Sequence, residues 1–256
     1  MFKKTKRLTT DDLSDMARSC KHSFEVTDVE NVLKDDKDVK EEEDDELLLL
    51  PKHPFRAIIV GRSGSGKTVL TLNLLFKWLK YDTIYIICST VHLQKKYELF
   101  CDLAELFPSK FKMYENMNSF NLKQVAKTKK NLILLDDLQE LDNKQLNRVN
   151  DLFVRGRHSN CSVIFLAQTF YRVPIRCRGS ANLFVFFKVN SEKDKARIHR
   201  DVCGDLDKNQ FLQLFNEATE ECMGAEAYSY FVVDTEEKNI TLRYRKNFRQ
   251  LYLDNL

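Results

Sequence analysis

Residues 61–68 frame everything else in this chain. Gly61-Arg62-Ser63-Gly64-Ser65-Gly66-Lys67-Thr68 matches G-x-x-x-x-G-K-[ST]. The octapeptide follows the apolar run Phe55–Val60. It precedes Thr68–Lys80, a segment of helical length with Leu70, Leu74, Leu75 and Trp78 spaced for one face. A strand, a glycine turn and a helix in that order make a cradle for phosphate. Glycines let several backbone N–H groups curl into one cavity. The helix that starts near Gly66 turns its positive end towards that cavity. All eight residues are therefore the expected nucleotide-binding set. Lys67 reaches the β- and γ-phosphates, and Thr68 offers a hydroxyl to Mg²⁺. The chain has only 7 glycines, against about eighteen at an average usage of ~7%. Residues 61–66 hold three of them, which argues against a chance turn.

Hydrolysis needs carboxylates as well as a cradle. Leu132-Ile133-Leu134-Leu135-Asp136-Asp137 is an apolar strand running into two acids. The carboxyl ends of strands are where open α/β sheets bind ligands. Asp136 is the expected Mg²⁺ ligand beside Thr68. Asp137 is expected to orient or deprotonate the attacking water, with Glu140 as the alternative. A second buried strand, Val163-Ile164-Phe165-Leu166-Ala167, ends in Gln168. An amide that both donates and accepts can hold the water and sense the γ-phosphate. A cation on the developing charge is expected from a neighbouring subunit. Arg155 and Arg157 are favoured for it among Arg155, Arg157, Arg172, Arg176 and Arg178. Arginines in Arg155-Gly156-Arg157-His158 also suit the end of a helix, and Arg176 and Arg178 also suit DNA phosphates or a neighbour.

Repeated alternation places these motifs in one fold. Strands are expected at 55–60, 83–88, 111–114, 131–136, 162–167 and 183–189. Helices are expected at 68–80, 91–106, 143–154, 191–202 and 207–221, and a closing strand pair at 228–234 and 240–244. The pattern is α/β: a mainly parallel sheet with helices on both faces and an antiparallel pair at the C-terminal end. Hydrophobic residues are 43% of 256, enough for one domain with a core. Residues 28–46 carry 11 acidic side chains against 3 lysines and should stay solvated. Residues 1–50 therefore read as an N-terminal tail and 51–256 as the ATPase domain, with Leu47–Leu50 a short arm onto the body. The acidic segment could bind a basic protein surface, occupy a basic channel in place of a polyanion, or simply solubilise. The rest of the chain is basic, which suits a polyanionic partner or an ordinary basic domain. Arg243, Arg245, Lys246 and Arg249 are candidate DNA contacts, or charges that guard a strand edge. Seven cysteines, none at CxxC spacing, point to a reducing compartment and give no zinc signal. No apolar run approaches the ~18 residues of a membrane helix, and no secretory signal is read at the start. No membrane insertion is expected.

Taken in order, HPFRAIIVGRSGSGKT, TIYIIC, NLILLDD, RGRHSNCSVIFLAQ, FVVDT and RYRKNF resemble the poxvirus-type genome-packaging ATPases. That group of the FtsK–HerA superfamily occurs in large DNA viruses, virophages and Polinton-like elements. The likeness covers about residues 52–249. It implies a RecA-like fold with an additional strand, and a homo-oligomeric ring that uses ATP and Mg²⁺ to drive double-stranded DNA into a preformed capsid. Under it Lys67 and Thr68 match the Walker A pair, Asp136 and Asp137 the Walker B acids, and Gln168 the sensor. It also implies capsid or portal partners and action inside the host cell at sites of virion assembly, cytoplasmic or nuclear, or association with the virion.

Three other readings stay open on sequence. One is a DNA-transfer or helicase-like motor with no capsid. Another is a nucleotide kinase that uses Arg155 and Arg157 over an acceptor pocket. The third is a nucleotide switch that hardly turns over. Guanine specificity lacks support, because Asn143-Lys144-Gln145-Leu146 has no aspartate for an Asn-Lys-x-Asp base reader.

Overall fold

The computed structural model describes residues 48–90, 98–136, 138, 141–220 and 228–251. Among them lie strands β1 (Arg56–Val60), β2 (Thr83–Cys88), β3 (Phe111–Tyr114), β4 (Asn131–Asp136), β5 (Cys161–Ala167), β6 (Leu183–Phe187), β7 (Tyr230–Asp234), β8 (Tyr244–Lys246) and β9 (Arg249–Gln250). They form one sheet in the order β3-β2-β4-β5-β1-β6-β7-β8-β9. Pairing is parallel from β3 to β6 and antiparallel from β6 to β9.

Strands β1, β2, β4, β5 and β6 are buried almost throughout because both faces of the sheet are covered. Successive side chains alternate between two cores. Ala57, Ile59, Leu132 and Leu134 enter one, with Leu70, Leu74 and Leu75 of α1 (Lys67–Leu72) and its π-helical continuation Asn73–Trp78. Phe100 and Leu103 of α2 (Glu98–Leu106) complete that side. Ile58, Val60, Ile133 and Leu135 enter the other core. There they meet Val149, Leu152 and Phe153 of α3 (Asn143–Arg155), Ile198 of α5 (Glu192–Val202), and Phe211 and Phe215 of α6 (Lys208–Thr219). A short α4 (Ile175–Ser180) joins β5 to β6. Aspartates start two of the helices. Asp142 and Asp207 each close a capping box, with Gln145 and Gln210.

One expectation changes. The segment 240–244 opens as a helical turn, α7 (Ile240–Arg243), because the Asn239 side chain accepts from Thr241 N and caps it. The strand begins only at Tyr244. The chain then reverses through Asn247 and Phe248, both at positive φ, into the two-residue β9. The leucine arm does pack on the body. Leu48 and Leu50 lie against the core that holds Phe248, and Leu49 N donates to Phe248 O at 2.8 Å. The remainder of the proposed tail, and residues 91–97 of the second expected helix, lie outside the described residues.

Candidate nucleotide site

The phosphate loop rises from the carboxyl end of β1 and is held there by its neighbours. Gly61 N donates to Ala167 O at 3.1 Å, which ties the loop's first residue to the last residue of β5. Gly66 has φ 95, a conformation that L side chains rarely adopt. A Cβ there would come within 2.6 Å of the Tyr228 ring, so glycine is required twice over. Gly64 also has positive φ, but a Cβ on it would meet open space. The Lys67 ammonium donates to Gly61 O at 2.5 Å and Arg62 O at 2.7 Å, which holds it over the mouth of the loop. Ser65 Oγ is buried with no hydrogen-bond partner among the described residues.

A cleft of about 370 Å³ opens above this loop. Ser63, Gly64, Ser65, Gly66, Lys67, Thr68 and Val69 form its floor. Asp136, Leu138, Phe165, Leu166, Ala167, Gln168, Arg172 and Tyr228 form its walls. The convergence follows from strand order. β5 lies between β1 and β4, so Gln168 stands beside the loop and Asp136 one strand further on. At ~4.8 Å per strand, Asp136 is about 10 Å across the sheet from the loop's root. Asp136 is 7% exposed, a carboxylate drawn down to the end of a buried strand. Thr68 and Asp136, a hydroxyl and a carboxylate on one cleft, fit the hard oxygen-donor set of Mg²⁺.

The other expected residues divide. Gly61 and Arg62 form the root of the loop and do not line the cleft. Asp137 and its alternative Glu140 lie outside the described residues. Arg155 closes α3, is exposed, and pairs with Asp151 at 3.6 Å. Arg157 lies in the 3-10 turn Gly156–Ser159, just before β5 begins. It is close to Arg56, the first residue of β1. Burial lowers the Arg56 pKa, Glu236 opposes this, and Arg157 adds a smaller lowering. Both favoured arginines are thus at the amino-terminal edge of the sheet, the length of β1 from their own chain's cleft. Five residues of strand make that about 16 Å. Among the described residues, the arginine that lines the cleft is Arg172, in the 3-10 turn Phe170–Arg172.

Tyr228 is a cleft residue that sequence reasoning missed. Its only signal was an aromatic just ahead of β7, which reads equally well as the start of a strand. Two of the C-terminal arginines are held by the fold. Arg243 donates to Asp205 at 2.5 Å. Arg245, 3% exposed, donates to Leu49 O, Leu242 O and Asp234.

Residues 42–235 match the model of the family described as Poxvirus A32 protein. The DNA packaging protein OPG160 of variola virus is 27% identical over 151 residues, which is 55% of this chain and 56% of that protein. The chain thus spans about half the length of the relatives it matches. Among solved structures, the genome packaging NTPase B204 of Sulfolobus turreted icosahedral virus 2, in complex with sulfate, aligns with a TM-score of 0.55 at 12% identity. The alignment covers 80% of this chain and 100% of that one. B204 described as the DNA-packaging ATPase of Sulfolobus turreted icosahedral virus aligns at 0.51, also at 12% identity, over 76% and 98%. At such identities the likeness speaks to the fold.

Proposed function

This chain belongs to the Poxvirus A32 protein family, and from that membership and the cleft's geometry we propose that it is a Mg²⁺-dependent ATPase that translocates double-stranded DNA, packaging a viral genome into a preformed capsid. One observation carries the reading. The phosphate loop, Asp136 and Gln168 come from three adjacent strands and converge on one cleft, with β5 between the two strands that hold the loop and the acid. A glycine turn alone would bind phosphate. The added carboxylate and amide supply what hydrolysis needs.

The residues divide the work by position. The loop's backbone N–H groups and the start of α1 receive the phosphates. Lys67 exchanges these carbonyl partners for phosphate oxygens. Thr68 and Asp136 would hold the metal ion, which would supply charge neutralisation to the triphosphate. Asp137 follows Asp136 directly and is assigned to the attacking water. Gln168 holds that water and registers departure of the γ-phosphate. Arg172 adds positive charge from the same subunit. Arg155 and Arg157 cannot serve their own cleft and are assigned to the next one in a homo-oligomeric ring. Capsid or portal proteins are the remaining partners, and the protein works at sites of virion assembly.

ATP hydrolysis with and without double-stranded DNA tests this, for wild type and Lys67→Ala. The wild type is expected to hydrolyse faster with DNA. Lys67→Ala should lose about 10²- to 10³-fold, the range for removing one preorganised donor. Equal wild-type rates with and without DNA would contradict the motor.

A further inference from the structure

Gln168 leads straight into an unusual piece of surface. The turn Phe170–Arg172 has three residues facing three ways. Phe170 is buried against Phe184 and Phe186. Arg172 lines the nucleotide cleft. Tyr171 points outward and is 66% exposed. Beyond the turn, Ile175 is 78% exposed, the most exposed large apolar side chain among the described residues. Arg176 beside it is exposed as well.

A second element adds to this surface. The guanidinium of Arg197 on α5 lies 4.5 Å from the centre of the Tyr171 ring, a cation–π contact. Lys193 is one turn before Arg197 on the same helix face and is exposed. Residues 170–202 hold eight Lys or Arg against three Asp or Glu. Of those acids, Asp201 is taken up by Arg178 at 2.6 Å and Arg200 at 2.8 Å, and Glu192 by Lys195 at 3.1 Å. A basic surface with an aromatic and an aliphatic side chain between its charges suits a sugar–phosphate backbone. A protein partner with apolar anchors is less well served by so much unbalanced charge.

We propose that the turn Phe170–Arg172, the start of α4 and the Lys193–Arg197 face of α5 form the surface that grips the backbone of double-stranded DNA. The grip is coupled to the nucleotide because Gln168 and Arg172, at either end of a five-residue stretch, both line the cleft. A shift of that stretch on loss of the γ-phosphate moves Tyr171 and its stacked Arg197. This inference rests on the DNA-motor reading and locates its DNA contact.

The test uses the full chain and a fluorescein-labelled DNA duplex of random sequence, with affinity measured by anisotropy between about 50 and 200 mM salt. Each phosphate contact adds about 0.9 to the slope of log affinity against log salt. The triple variant Arg176→Ala, Lys193→Ala, Arg197→Ala is expected to flatten that slope by about 2 to 3 and to abolish DNA stimulation of hydrolysis. A charge-matched variant, Lys123→Ala, Lys127→Ala, Lys129→Ala, removes charge elsewhere on the surface and is expected to keep the wild-type slope. Should the triple variant not fold, by its thermal unfolding midpoint, Arg176→Glu alone at an exposed position should flatten the slope by about 1 to 2. A wild-type slope in these variants overturns the proposal. So does a triple variant that fails to assemble while its subunits bind duplex normally, which would make this a subunit contact. A wild type that binds no duplex at any salt overturns the motor reading itself.

Discussion

At the scale of single residues, the site turns on Gly66 and its neighbour across the loop. Its φ of 95, and a Tyr228 ring that would lie 2.6 Å from any Cβ, leave no room for a side chain. Gly66→Ala is expected to weaken binding of a fluorescent ATP analogue at least tenfold, measured by titration. Gly64→Ala, strained in φ alone, should lose less. Wild-type binding by Gly66→Ala would show that the loop opens elsewhere. That Lys67, Thr68 and Asp136 would share one cleft was legible in the sequence because the roles proposed for them need fixed residue types at fixed spacing beside apolar strands. Tyr228 was not, and Arg172 stood only as one of five candidate arginines, since each enters the cleft from a connecting segment whose path no periodicity reveals. The edge on which Arg157 lies was legible in principle. A residue just before a parallel strand must lie opposite a loop that follows one.

At the scale of elements, both-face burial wrote the sheet into the sequence. Runs such as Thr83–Cys88 and Asn131–Asp136 are buried at every position, so they appear as unbroken apolar stretches with acids or turns at their ends. The far edge was harder to read. Ile240–Arg243 has strand-like residues, but a cap at Asn239 turned it into a helical turn. The entry to β1 carries a titratable pin. His53 Nε2 donates to Asn160 Oδ1 at 2.9 Å, and its Nδ1 lies 2.7 Å from Ser162 Oγ. Burial lowers its pKa, the Asn160 bond opposes this, Lys130 lowers it further, and Asp82 raises it. The folded pKa therefore lies below the ordinary 6.5. Between the two values the unfolded chain binds the extra proton, so stability rises with pH there and is lost as pH falls through 6.5. Urea midpoints between pH 7.5 and about 5.5 should fall more steeply for wild type than for His53→Gln. Parallel pH profiles would show that His53 does not link stability to pH.

At the scale of the whole molecule, one sheet separates two chemistries. Its carboxyl-terminal edge holds the cleft, and its amino-terminal edge presents Arg155 and Arg157. In the proposed ring, the second edge of one copy would meet the cleft of the next. Arg155→Ala and Arg157→Ala subunits, each mixed with wild type, are expected to depress hydrolysis more than in proportion to their fraction for whichever arginine acts across the interface. Strict proportionality for both would assign the cation to Arg172. Cleavage of ATP in this cleft is proposed to move double-stranded DNA, and displacement of a third strand from a triplex on linear duplex reports that movement. Wild type should strip the third strand with ATP, and neither a non-hydrolysable analogue nor Lys67→Ala should do so. Protein that hydrolyses ATP yet leaves the triplex intact would show that hydrolysis is not coupled to movement along DNA.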